Sequence, residues 1–200
     1  MPSDRIIELY DRRAVEWDHD RARSLHERGW LDRFLTYVGR PGTVLDLGCG
    51  GGEPIARYLL GQGLKLVGVD SSRGMIEMCR DRFREGEWVV GDMRQLALGR
   101  TFEGILAWDS FFHLSPVDQR AMFHRFSEHA APDAALMFTS GPAQGEVVGS
   151  YRGEPLYHAS LDSNEYVDLL TASGFRVRDH VVEDPLCGGH TVWLATYEQA

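Results

Sequence analysis

The chain has 200 residues, 43% of them hydrophobic, and a formal net charge of −9. This length suits one domain with a proper core, and the composition is that of a globular protein. The acidic balance argues against a protein built to hold phosphate backbones, which need a basic face, so no nucleic-acid partner is expected.

The first 38 residues predict a helical leader. Apolar residues recur near helical spacing over 6–17 and again over 30–38, which predicts two helices before the first strand. The glycines at 39 and 42 then end the leader.

Apolar runs alternate with helical patterns between residues 42 and 140. Buried strands are predicted at 43–47, 64–70, 88–92, 102–108 and 134–139. Helices are predicted from about Pro54 to Leu60, after Ser71 or Ser72, and from Ser115 onwards. This alternation predicts an α/β, doubly wound sheet with right-handed crossovers.

The last third of the chain has a different pattern. Residues 141–160 are glycine-rich and too long for a tight turn, which predicts a substrate loop at the ligand face. A helix near 164–173 and two strands at 175–182 and 190–197 are predicted to follow. Because the two strands are joined by a short connection, an antiparallel pair is expected.

A glycine-rich motif, Asp-Leu-Gly-Cys-Gly-Gly-Gly, occupies 46–52 directly after the first strand. A strand that leads into such a turn and a helix N-terminus presents backbone N–H groups to a ligand. The dinucleotide fingerprint G-x-G-x-x-G is incomplete, since Glu53 stands at its third glycine position. An NAD-dependent oxidoreductase remains an alternative at this point.

The motif is similar to the first motif of class I S-adenosylmethionine-dependent methyltransferases, and the small-molecule members resemble the chain most. The resemblance covers residues 40–140 well and the remainder loosely. It implies a Rossmann-like seven-stranded sheet with a C-terminal antiparallel hairpin, and S-adenosyl-L-methionine as cofactor. Asp70 would accept from the ribose hydroxyls, and Asp92 with Met93 would hold the adenine.

Other residues follow from the same resemblance. A leader carrying Tyr-Asp and a later aromatic folds over the cofactor in this family, and Tyr10 and Trp17 resemble that pattern. The full set of candidate cofactor-binding residues is Asp46, Gly48, Gly50, Asp70, Ser71, Met75, Asp92, Met93, Trp108, Phe111, Tyr10 and Trp17.

The run from Trp108 to Pro116 follows the fourth strand, where the family places its acceptor. It lacks the Asn/Asp-Pro-Pro-Tyr sequence of nucleic-acid amino methyltransferases, so methylation of a small molecule at O or N is expected. A base is needed only for an acceptor that is protonated at working pH, and the candidates are His113, His158, His190 and Asp109. Of these, His113 and Asp109 are taken as the catalytic residues. The candidate substrate residues are Phe112, Tyr151, Tyr157, His158 and His190.

We expect a single methyltransferase domain with a helical lid at 1–38, a cofactor-binding core at 42–140, the substrate loop at 141–160 and a helix with a hairpin at 161–200. A catalytically silent protein that binds S-adenosylmethionine or another nucleoside is a further alternative.

Cysteine usage and hydropathy predict the compartment. Cys49, Cys79 and Cys187 have neither C-x-x-C pairing nor metal-ligand spacing, which favours free thiols and no metal. The N-terminus lacks a secretory apolar region, and no apolar run is long enough to span a bilayer. The sequence thus predicts a cytoplasmic protein with no membrane partner, monomeric or homodimeric.

Overall fold

The computed structural model describes residues 4–198. The first three residues of the predicted lid and the last two of the predicted C-terminal segment therefore lie outside the described part of the chain.

A central seven-stranded sheet has the order β3-β2-β1-β4-β5-β9-β8. Its strands are β1 (Thr43–Leu47), β2 (Lys65–Asp70), β3 (Glu87–Val90), β4 (Phe102–Ala107), β5 (Ala130–Ser140), β8 (Phe175–Asp184) and β9 (His190–Tyr197). The first five strands are parallel, whereas β9 pairs antiparallel with both β5 and β8. This topology confirms the predicted Rossmann-like fold with its C-terminal antiparallel hairpin.

Helices cover both faces of the sheet. They are α1 (Asp4–Arg12), α2 (Ala14–Asp20), α3 (Arg28–Val38), α4 (Ile55–Gly61), α5 (Arg73–Arg82), α6 (Pro116–His129) and α7 (Ser163–Ala172). Ser72 caps α5 and Ser115 caps α6, since each hydroxyl accepts a backbone N–H of the first turn. Within residues 4–198, no helix has the length and apolar character needed to cross a bilayer.

The leader contains three helices, so the prediction of two was wrong. The apolar spacing over 6–17 continues across Arg13, but the backbone there has φ −108° and ψ 16°, which separates α1 from α2. The side chain of Arg13 bonds Glu154 and Glu16, and these contacts favour the break.

The predicted substrate loop is also corrected. Residues 141–160 contain a two-stranded antiparallel sheet, β6 (Gly145–Tyr151) with β7 (Glu154–Ser160). Arg152 and Gly153 form the two-residue turn, with φ of 48° and 83°. Positive φ at both central residues is the geometry that matches the twist of a tight hairpin.

Two apolar clusters sandwich the sheet. One contains aromatic rings from α6, α7 and the strands, including Phe123, Phe126 and Trp193. The other packs α3, α4 and α5 against the opposite face. Because both faces are buried, polar residues gather where the parallel strands end, and the candidate site lies there.

Candidate cofactor and acceptor site

The glycine turn after β1 forms the floor of the site. Gly48 has φ 77°, and a Cβ on it would lie 2.2 Å from the Cβ of Ser110. Gly50 has φ 54°, and a Cβ there would meet nothing within 4 Å. The turn therefore requires glycine at 48 for close packing, while at 50 it leaves bare backbone facing open space.

Asp70, at the end of β2, fixes this turn. Its Oδ2 accepts the Gly50 N–H at 2.9 Å and its Oδ1 accepts the Ser72 N–H at 2.8 Å. Burial raises the pKa of this carboxyl. Each carboxylate oxygen has a second lone-pair site, so Asp70 can still accept from a ligand.

Asp46 lies inside the same end of the sheet and is 3% exposed. Burial, and secondarily the charge of Asp70, raise its pKa to about 7. Two carboxyl groups thus share a buried region where a positive charge would be favoured.

Asp92 and its neighbours follow β3. The Asp92 side chain accepts the backbone N–H of Arg94 at 2.9 Å and pairs with the Arg94 guanidinium, with Nη2 2.6 Å from Oδ2. The sequence motif gives no sign of this pairing, although a two-residue spacing makes it geometrically simple. A ligand that contacts Asp92 therefore meets a carboxylate that already has the Arg94 guanidinium as its counterion.

A first cavity of about 100 Å³ lies above these residues. Nine predicted cofactor residues line it: Tyr10, Trp17, Gly48, Gly50, Asp70, Ser71, Met75, Asp92 and Met93. Ile6 and Ile7 of α1, which were not predicted, add an apolar wall. The helical leader thus closes over the strand ends.

A second cavity of about 60 Å³ adjoins the first at Trp17, Gly48, Gly50 and Asp109. Its lining includes two more predicted residues, Asp46 and Trp108, together with the charged residues Asp18, Arg21 and Glu53.

Phe111 was predicted to touch the cofactor, and this prediction was wrong. Its side chain is fully buried and packs against Phe123, Phe126, Phe138 and Tyr166. The 3-10 turn at Phe111–His113 directs Phe111 into the apolar core, where burial of a large ring is most favourable.

A third cavity, of about 450 Å³, lies between the leader, the β6–β7 hairpin and the turn after β4. Four predicted substrate residues line it: Phe112, Tyr151, His158 and His190. It shares Tyr10, Trp17, Asp109 and His113 with the first cavity.

Tyr157 does not line the third cavity, so its assignment as a substrate residue is corrected. Successive side chains of a strand point to opposite faces, and His158 faces the cavity. Tyr157 instead packs against Ile6, with its hydroxyl donating to Glu146.

His113 is held at both ring nitrogens. Nδ1 lies 2.8 Å from the Tyr157 carbonyl oxygen, which can only accept, so Nδ1 carries the proton. Nε2 lies 2.9 Å from the Tyr10 hydroxyl and accepts from it. Burial lowers the pKa of His113 to about 4, so the neutral ring is the form present at physiological pH.

Asp109 is also held in place. It has φ 50°, and its N–H donates to Thr139 Oγ1 at 2.9 Å. Its Oδ1 lies 2.9 Å from His190 Nε2, and the Arg21 guanidinium is 3.8 Å from Oδ2. The bond to Asp109 raises the pKa of His190.

Comparison with known proteins finds similarity to methyltransferases. Residues 44–133 match the family model described as "Methyltransferase domain". The chain is 25% identical over 163 residues, 72% of its length, to an O-methyltransferase of Pyrenophora dematioidea. It is 33% identical over 119 residues, 56% of its length, to demethylmenaquinone methyltransferase of Thermotoga maritima. These matches cover 60% and 48% of the two relatives.

A solved structure shows the same fold. Burkholderia thailandensis 1,6-didemethyltoxoflavin-N1-methyltransferase, with its acceptor and S-adenosylhomocysteine bound, aligns with a TM-score of 0.73 at 20% identity. The alignment covers 98% of this chain and 87% of that one.

The chain thus combines a segment that matches a methyltransferase domain with the fold of a solved methyltransferase, and these findings indicate S-adenosylmethionine as the cofactor. The residues present fit such a group. Bare backbone at Gly50 gives room for a nucleoside, and the buried carboxyl of Asp46 and the half-buried carboxyl of Asp70 favour a cation.

Proposed function

We propose that this protein transfers a methyl group from S-adenosylmethionine to an O or N atom of a small molecule. One observation carries the proposal: Tyr10, Trp17, Asp109 and His113 line both the first and the third cavity. A cofactor cleft and an acceptor cavity that share a wall bring two ligands together at that wall. The relatives named for small-molecule acceptors support the same reading.

The cofactor would lie across the ends of β1 to β4. Asp70 would accept from the ribose hydroxyls with its remaining lone pairs, and Asp92 with Met93 would border the adenine. The methionine portion would lie in the second cavity, between Arg21 and Asp46. When bound, S-adenosylmethionine supplies a methyl group already activated by a positively charged sulfur.

The chain's own task is to align the acceptor, to exclude water and to receive a proton. His113 presents Nε2 at the shared wall in its neutral form, with Tyr10 as hydrogen-bond partner. Asp109, at the same wall, holds His190 of the third cavity through the 2.9 Å contact. We assign His113 as the base and Asp109 as the residue that positions His190.

Entry of the cofactor requires movement of the leader. The first and second cavities, of about 100 and 60 Å³, are smaller than the roughly 300–1,000 Å³ of small-molecule sites. Because Tyr10 and Trp17 line this narrow first cavity, α1 and α2 would swing outward and then close over the ligand.

Binding measurements test the cofactor assignment. By calorimetry, S-adenosylhomocysteine should bind and raise the melting temperature, whereas NAD should do neither. Asp70→Asn should weaken S-adenosylhomocysteine by about 30- to 1,000-fold, since charge-assisted bonds of roughly 2–4 kcal/mol are lost. Asp81→Asn, an exposed position on α5, is the control. Tighter binding of NAD, or unchanged affinity in Asp70→Asn, would reject the assignment.

Turnover separates an enzyme from a silent binding protein. Formation of S-adenosylhomocysteine should be followed while a panel of small metabolites with free O–H and N–H groups is offered. With an active acceptor, His113→Asn should lower kcat by about 10²- to 10⁴-fold, the usual contribution of a base, and this loss should far exceed any change in cofactor affinity. Binding without turnover across the panel would favour the silent protein.

A further inference from the structure

The third cavity has an unusual lining for its size. Seven of its twelve lining residues carry a ring. Six of these rings form a continuous series in which neighbouring centroids are 4.8–5.4 Å apart: Tyr151, Trp17, Tyr10, His113, His158 and Phe112. We call this series the ring arc. It extends from the β6–β7 hairpin, across the leader, to the turn after β4.

Given the proposed function, on which this inference rests, we propose that the acceptor is an uncharged planar aromatic molecule that bears a hydroxyl or a ring N–H. Flat rings favour offset or edge-to-face contacts with other rings at centroid distances of 4.5–7 Å. The arc offers such contacts on several sides of one cavity. A cavity of about 450 Å³ is within the size range of sites for small organic molecules.

The charged residues of the cavity disfavour a strongly charged acceptor because each already has a counterion. Asp20 pairs with Arg152 at 2.9 Å, and Asp109 pairs with His190 at 2.9 Å. Arg21 pairs with Glu27 at 2.8 Å. A charged acceptor would have to break one of these pairs to obtain a counterion, whereas a neutral ring leaves them intact.

The proton acceptor lies within the arc. The Tyr10 hydroxyl and His113 Nε2 meet at 2.9 Å between the two ends of the series. An acceptor hydroxyl or ring N–H placed there gives its proton to the Tyr10 oxygen while Tyr10 passes its own proton to Nε2. The oxygen or nitrogen of the acceptor forms the bond to the methyl carbon, and the electron pair of the broken carbon–sulfur bond stays on sulfur. A weakly acidic aromatic O–H or N–H suits a base of low pKa better than an aliphatic alcohol does.

Calorimetry on protein saturated with S-adenosylhomocysteine tests the acceptor class. The probes are 2-naphthol, decahydro-2-naphthol, which keeps the hydroxyl but is not planar, and 2-naphthoate, which is planar but charged. We expect 2-naphthol to bind at least tenfold more tightly than either of the others. Phe112→Leu should weaken 2-naphthol at least tenfold, and Phe112→Tyr should retain the affinity.

The same titrations can contradict the proposed acceptor class without contradicting the proposed function, because binding of the cofactor product and binding of the acceptor probes are measured separately. Phe112 does not line the first or second cavity, so S-adenosylhomocysteine should bind Phe112→Leu as it binds the wild type. Tyr37→Leu, which removes a half-exposed ring from α3, is the matched control. Equal affinity for the planar and the saturated alcohol, or tighter binding of 2-naphthoate, would overturn the acceptor class and leave the cofactor assignment standing. Failure of S-adenosylhomocysteine to bind would overturn both.

Discussion

The floor and the cover of the site are held together by different forces. The floor consists of the ends of β1 to β4, with apolar clusters on both faces of the sheet. The cover consists of α1, α2 and the β6–β7 hairpin. Its parts are joined by a small apolar cluster of Ile6 with Tyr157 and by ion pairs between residues far apart in sequence, such as Arg12 with Glu154 at 2.6 Å and Asp20 with Arg152 at 2.9 Å.

The difference has an energetic meaning. Burial of a core side chain contributes about 1.5–3 kcal/mol, whereas an exposed ion pair contributes about 0–1 kcal/mol. The side chains of the Arg12–Glu154 pair are 56% and 27% exposed. The floor is therefore fixed on folding, while the cover can open at little cost and allow ligand exchange.

The largest contrast is expected between two adjacent phenylalanines. Phe111→Ala should reduce the free energy of unfolding by about 3–5 kcal/mol, because it leaves a cavity in the core of the floor. Phe112→Ala should cost less than about 1.5 kcal/mol, since this half-buried ring faces the third cavity. Urea denaturation of both variants measures the difference. Equal losses would mean that the floor and the cover are not distinct.

The next effect concerns pH and Asp46. Its pKa is raised to about 7, so between pH 4 and pH 7 the folded protein holds a proton that the unfolded chain has released. Stability therefore falls as pH rises through this window, by on the order of 2–4 kcal/mol in total.

The Asp46→Asn variant isolates this contribution. Relative to the wild type it should gain little near pH 4 and most near pH 8, as measured by urea denaturation at several pH values. A stability difference that does not change with pH would show that Asp46 titrates normally.

The smallest effect tests the cover itself. Glu154→Gln should change the free energy of unfolding by less than about 1 kcal/mol, because exposed ion pairs contribute little. Hydrogen exchange in residues 4–20 should nevertheless accelerate, since Glu154 bonds both Arg12 and Arg13. Glu165→Gln breaks a similar pair with Arg120, between α6 and α7, and is the control. Equal exchange in both variants would argue against an ion-paired cover.

The floor was predictable from the sequence because its signals are local. Strands buried on both faces appear as continuous apolar runs. Ser72 and Ser115 are N-cap residues, which predict the start of α5 and of α6. Asp70 stands directly at a strand end, where open α/β sheets bind ligands.

The cover was harder to predict because its determinants are exposed or distant. Six of the seven residues of β6 are exposed, so the alternation that marks a half-buried strand is absent. The contact of Tyr10 with His113 joins residues 103 positions apart. Only the 3-10 turn decides which of Phe111 and Phe112 enters the core, and the sequence does not encode that choice in a periodic pattern.

The two hydrogen bonds of the His113 ring couple its basicity to the position of the leader. One ring nitrogen is joined to α1 through Tyr10 and the other to β7 through the Tyr157 carbonyl. If α1 swings outward as proposed, Nε2 would exchange the Tyr10 hydroxyl for water, and the pKa of His113 would move back towards that of free imidazole. In the proposed mechanism, the movement that admits a ligand would also restore the basicity of His113, and the desolvated, neutral imidazole would return once the leader has closed.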